Sequence, residues 1–77
     1  MISVVWTGER AQVDRIAEIV GLKEWNAYMT TLGNLVIERQ VNGKAVEKIY
    51  PQPRDTINVY DDGWIDVTYY VAPQPEV

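Results

Sequence analysis

The stretch Thr56-Ile57-Asn58-Val59-Tyr60-Asp61-Asp62-Gly63-Trp64-Ile65-Asp66-Val67-Thr68-Tyr69-Tyr70 decides the fold. Two runs rich in β-branched and aromatic residues, 56–60 and 64–71, flank a turn signal. Two registers compete. A two-residue turn at Asp62-Gly63 sets Val59 opposite Asp66 and Ile57 opposite Thr68, mixing polar with apolar on each face. A three-residue loop, with Gly63 in the left-handed region as a bulge, sets Val59 against Ile65 and Ile57 against Val67. Those four then share one face, continued by Tyr69 and Val71. A one-residue slip flips every side chain, so the second register is strongly favoured. It turns Tyr60, Trp64, Asp66, Thr68 and Tyr70 to the opposite face, with Tyr60 and Trp64 directly across from one another.

Upstream, Pro51-Gln52-Pro53-Arg54-Asp55 reads as a loop, because two prolines do not fit within a paired strand. Residues 35–41 and 45–50 read as a hairpin around Asn42-Gly43. A strict two-residue turn there places Glu38 across from Glu47, a like-charge pair. A three-residue loop of Val41, Asn42 and Gly43 avoids it, setting Glu38 opposite Val46 and Leu35 opposite Ile49, and is preferred. Gly33-Asn34 reads as a two-residue turn that pairs Leu32 with Leu35, Thr30 with Ile37 and Tyr28 with Arg39, the last as a cation–π contact. Residues 23–32 therefore read as strand, although Lys23-Glu24-Trp25-Asn26-Ala27 would also extend a helix.

Nearer the start, Val13, Ile16, Ala17 and Val20 fall at helical spacing and predict an amphipathic helix from about Glu9, capped by Thr7 or Gly8. Gly21 is placed to end it in the left-handed conformation, with Leu22 folding back on the last turn. Residues 2–6 read as a strand that is apolar on both faces, as in the middle of a sheet. The expectation is an α+β fold: one amphipathic helix packed on an antiparallel sheet of five to six strands, in the order β-α-β-β-β-β(-β). Residues 1–72 form a single domain and 73–77 a flexible tail.

The chain of 77 residues contains neither cysteine nor histidine. Thiolate nucleophiles, imidazole bases, disulfides and Cys/His zinc sites are therefore excluded. An EF-hand alignment on Gly63 puts Asn58 at the first ligand, Tyr60 at the third and Tyr69 where glutamate is required, so no metal site is read there. Asp61-Asp62-Gly63 is turn chemistry instead. Glu38 and Glu47 face each other only in the disfavoured register, and Ser3, the sole serine, has no base nearby. The chain is read as a non-enzyme without a cofactor.

Net charge is −4, and the seven lysines and arginines are scattered among eleven acids. Direct nucleic-acid binding is not expected, since it needs clustered basic residues. Without a basic leader or a long apolar run, no membrane association is expected and a cytoplasmic location is. Small domains without disulfides gain from self-association, so a homodimer is a second expectation. The residues expected to bind a partner are Tyr60, Asp61, Asp62, Trp64, Asp66 and Tyr70: aromatics ringed by acids, as in interface anchors. The expected function is an acidic, non-enzymatic protein-binding module that occludes a basic or mixed partner surface. In size and charge alone it is similar to inhibitors of phage or mobile-element type. The alternative is a structural subunit that works as a homo-oligomer, joined through the same face or an unpaired sheet edge.

Overall fold

The computed structural model describes residues 1–73. Strand β1 (Ile2–Val5) leads through a 3-10 turn (Arg10–Gln12) into helix α1 (Val13–Gly21). Strands β2 (Trp25–Met29), β3 (Leu35–Val41), β4 (Lys44–Ile49), β5 (Thr56–Val59) and β6 (Ile65–Thr68) follow. The fold is α+β with six strands, but they form two three-stranded antiparallel sheets, β1-β5-β6 and β2-β3-β4, rather than one. The break falls at the proline loop after β4, where Pro51 and Pro53 cannot donate to a ladder. The chain restarts at β5, whose partner β1 comes from the other end of the sequence. Part of the expected tail, residues 74–77, lies outside the described residues. No helix among the described residues is long and apolar enough to cross a membrane.

The inner faces of both sheets and the helix meet in one core. Trp6, Ile57, Val59 and Ile65 enter it from the first sheet or its flank. Trp25, Leu35 and Ile37 come from the second, and Ile16 and Val20 from α1. Ile16 and Val20 are four apart, so they share the stripe expected of the helix. Burying these side chains is the main stabilising term.

The register of the decisive hairpin is the one its apolar alternation demands: Val59 pairs with Ile65 and Ile57 with Val67. Tyr60 N donates to Trp64 O at 2.9 Å, Gly63 N donates to Tyr60 O at 3.0 Å, and Gly63 has φ +94°. The left-handed region is open to glycine without a Cβ penalty.

The other two hairpins depart from expectation, each for a physical reason. The β2–β3 connection is not a two-residue turn at Gly33-Asn34. It repeats the three-residue loop of β5–β6, with Thr30 N donating to Asn34 O at 2.8 Å, Gly33 N to Thr30 O at 3.0 Å, and Gly33 at φ +86°. This register pairs Met29 with Leu35 and Ala27 with Ile37, so apolar meets apolar on the core face. Tyr28 consequently faces Val36, not Arg39, and Leu32 sits at the loop tip, 87% exposed, not across from Leu35.

The β3–β4 connection is a two-residue turn, with Asn42 at φ 53° and Gly43 at φ 79°, in place of the expected three-residue loop. The like-charge pair is removed by a bulge instead. The pairing steps from Gln40–Ala45 to Arg39–Glu47 and skips Val46. Glu38 then faces Lys48 and Arg39 faces Glu47, two opposite-charge pairs, while Ile37 meets Ile49.

The helix also differs at both ends. Its entry is organised by Gln12 rather than by Thr7 or Gly8 as caps. Gln12 Oε1 accepts from Thr7 N at 2.8 Å and from Thr7 Oγ1 at 2.6 Å, and its Nε2 donates to Val5 O at 2.9 Å. Gly21 stays within the helix, Leu22 is exposed, and the left-handed residue that turns the chain into β2 is Glu24, at φ 65°. Strand β1 is an edge strand, not a central one, and Val5 is exposed; β5 takes the middle.

Candidate functional site

The outward face of the first sheet carries a polar ladder. Ser3, Asn58 and Asp66 lie side by side on β1, β5 and β6 by register. Ser3 Oγ donates to Asn58 Oδ1 at 2.9 Å. Asn58 Nδ2 donates to Asp66 Oδ1 at 2.9 Å and to Thr68 Oγ1 at 2.8 Å. Tyr60 OH donates to Asp66 Oδ2 at 3.0 Å. Asn58 is only 7% exposed on its central strand, and these bonds satisfy its amide. The bond to Asp66 keeps the Tyr60 phenol protonated and raises its pKa above the ordinary 10.0. Desolvation and the charges of Asp66 and Asp62 act in the same direction.

Trp64 does not stack on Tyr60, although the two are joined through the backbone. Its ring meets Trp25 edge-on, with centroids 5.7 Å apart and planes at 85°. Trp25 is a core residue, 2% exposed, and its Nε1 donates to Gly63 O at 3.0 Å. One buried tryptophan of the second sheet therefore grips both the loop and the ring at the tip of the first sheet's hairpin. Trp64 is left 46% exposed, its other surface open to solvent.

The acids of the turn have separate tasks. Asp62 Oδ1 accepts from Trp64 N at 3.0 Å, closing the turn with its own side chain. Asp61 Oδ1 lies 3.0 Å from the Met1 ammonium, and Lys23 Nζ donates to Asp61 O at 3.1 Å. Chiefly the hydrogen bond from that ammonium, then its charge and that of Lys23, holds the Asp61 carboxyl below its usual range. Asp61 remains highly exposed all the same.

Tyr70 belongs to a different cluster. Its backbone N donates to Asp55 Oδ1 at 2.8 Å, and Arg54 lies over its ring at 5.4 Å. Asp55 is buried, and its second oxygen accepts from Gln52 N at 2.9 Å, so one carboxylate ties the proline loop to the chain beyond β6. Trp6 is held to the same loop, its N donating to Asp55 O at 2.9 Å and its O accepting from Arg54 N at 2.6 Å.

Of the six residues singled out by sequence, Tyr60 and Asp66 are in contact, and Asp61, Asp62 and Trp64 share the tip. Tyr70 lies past the other end of β6. Sequence reasoning missed Trp25, Asn58 and Ser3. Asn58 carried no signal, because a polar residue between Ile57 and Val59 is ordinary on an outward strand face, and only the pairing of β1 with β5 places it on a central strand where it needs partners. Trp25 left none beyond its size, since its grip on the tip depends on how the two sheets meet. The arrangement offers a fixed aromatic surface beside exposed carboxylates. Comparison with protein-family models, with curated proteins and with solved structures gives no match for this chain.

Proposed function

We propose that the protein is a non-enzymatic binding module whose β5–β6 hairpin tip docks a basic or mixed surface of a partner protein in the cytoplasm. Trp64 is the anchor, and Asp61, Asp62 and Asp66 supply the acidic surround. The observation that carries this reading is the state of Trp64: half-exposed, yet held in a T-shaped contact by a buried tryptophan. A large ring already held in place loses little conformational freedom on binding, which is what interface anchors exploit. The net charge of −4 favours encounter with a basic surface. The mechanism is occlusion, in the manner of small acidic inhibitors of phage or mobile-element type.

The test is capture of a partner on immobilised protein, with Trp64→Ala and the pair Asp61→Asn with Asp62→Asn as controls. Trp64→Ala should weaken the captured complex at least tenfold, and the asparagine pair should flatten its salt dependence. A partner held equally well by all three proteins at every salt concentration would rule the tip out as the docking site.

A homo-oligomeric structural subunit is the second reading. It is favoured by the sheet order, which leaves β1, β6, β2 and β4 each paired on one side only. Sedimentation over a concentration series separates the two, because a subunit of this kind associates with itself and a free module stays monomeric.

A further inference from the structure

An open groove of about 600 Å3 lies away from the hairpin tip, between the helical segment and β2. Arg10, Val13, Asp14 and Ala17 form one wall, and Ala27 and Met29 line the other. Strand β2 is the outermost strand of its sheet. The hydrogen bond from Thr30 N to Asn34 O settles which of its backbone groups are free. Bonded and non-bonded pairs alternate in an antiparallel ladder. Tyr28 with Val36 and Asn26 with Glu38 therefore form the next bonded pairs, by the observed register. The N–H and C=O groups of Trp25, Ala27 and Met29 point away from β3. Two of these three residues line the groove. Among the described residues, no backbone hydrogen bond outside the ladder involves Ala27 or Met29.

We propose that this groove takes an extended peptide segment of a partner protein as a fourth strand on β2, with one apolar side chain seated over Ala17 and Ala27. Donors and acceptors at alternate positions of an edge strand are complementary to one ligand chemistry above others, an extended peptide backbone. The small side chains of Ala17 and Ala27 leave room in the groove. Val13 and Met29, half-buried and packed against the core, supply apolar surface on either side of them. Arg10 and Asp14 stand one helical turn apart on the rim with opposite charges, so they impose no net sign on the ligand. Binding here should therefore be insensitive to salt, unlike docking at the acidic hairpin tip. The two sites share no residue.

The test uses a panel of end-blocked heptapeptides in which threonine alternates with alanine, valine, leucine or phenylalanine. Each active peptide is paired with an analogue N-methylated on the amides of one edge. The expected result is binding of the valine or leucine peptide, with the amides of Ala27 and Met29 gaining protection from hydrogen exchange. N-methylation should weaken binding at least tenfold, as should Ala17→Leu, which fills the groove from the helix, and Ala27→Pro. Proline at 27 removes an outward N–H and no ladder donor, so an edge strand accommodates it. If Ala27→Pro does not fold, the N-methylated peptides and Ala17→Leu decide. The proposal is overturned if no peptide binds more tightly than about 1 mM, or if the N-methylated analogues bind equally well. Protection of Ala27 and Met29 that rises with protein concentration in the absence of peptide would also overturn it, in favour of a second copy of the chain.

Discussion

The β5–β6 and β2–β3 hairpins close with the same three-residue loop, yet only the first was readable in advance. In both, the residue before the loop donates its N–H to the residue after it, and a glycine in the left-handed region completes the turn. The difference lies in the strands. Ile57, Val59, Ile65 and Val67 alternate with polar neighbours, so only one register keeps them together. Strand β3 begins Leu35-Val36-Ile37-Glu38, and all four are buried, on both faces of the sheet. Period-two alternation vanishes in such a run, and register loses its sequence signal. A hairpin with one wet face records its own register; a hairpin built on a strand buried on both faces leaves that to its neighbours.

The contrast between the two sheets is tested most strongly at the tryptophans that join them. Trp25→Ala should destabilise the protein by about 3–5 kcal/mol, the range for removing a buried aromatic side chain. It would also release the loop at Gly63. Trp64→Ala removes an edge-on contact and a half-exposed ring, and should cost about 1 kcal/mol. Urea denaturation of both variants measures the difference. Equal losses would mean that the second sheet does not hold the hairpin tip.

Asn58 is the next largest effect. Asn58→Ala strips partners from Ser3, Asp66 and Thr68 at the centre of the first sheet, and should cost about 1–3 kcal/mol. Tyr60 fluorescence or an Asp66 carboxyl resonance would report the loosened ladder. The matched position on the second sheet's outward face is Glu38, whose bond from Gln40 Nε2 comes from its own strand. Glu38→Gln should therefore leave the strand pairing intact.

Gly33→Ala and Gly63→Ala test whether the two loops are one structure. Neither added methyl group meets any atom within 4 Å, so the strain is in the backbone alone. Each should cost about 1–2 kcal/mol, the penalty for placing an L-residue in the left-handed region. A loss at Gly63 with none at Gly33 would show that the loops differ.

The smallest effect concerns the Tyr60 phenol. Its pKa in the fold is raised above 10.0, so its hydrogen bond to Asp66 contributes fully below that pH. The contribution is lost as pH rises through the folded-state value. Ultraviolet titration should show one tyrosine ionising late, and Asp66→Asn should bring it back towards 10.0. An unchanged late tyrosine in Asp66→Asn would assign the shift to another group.

Local chemistry made much of the molecule legible. The apolar stripe of α1 and the proline loop followed from side-chain type and spacing, whereas strand over residues 25–29 rested on a two-residue turn at Gly33-Asn34 that the structure replaces with a three-residue loop. The like-charge conflict between Glu38 and Glu47 is legible in the sequence, but its remedy is not. A longer loop and a bulge at Val46 both relieve it, and the choice depends on which residues of β3 the core demands. At the candidate site, the outward placement of Tyr60 and Asp66 followed from the register. The partnership of Trp64 with Trp25 did not, because those residues lie on different sheets.

The sequence by itself determined the α+β class, the helix, the strand-rich order and the register of the last hairpin. Each of these depends on residues close together in the chain, where periodicity and turn chemistry act directly. Only the tertiary structure decided that the strands divide into two sheets, that β1 returns to pair with β5, and that Trp25 grips the hairpin tip. Those contacts join distant segments, and any apolar face satisfies the same pattern until the whole core selects its neighbour.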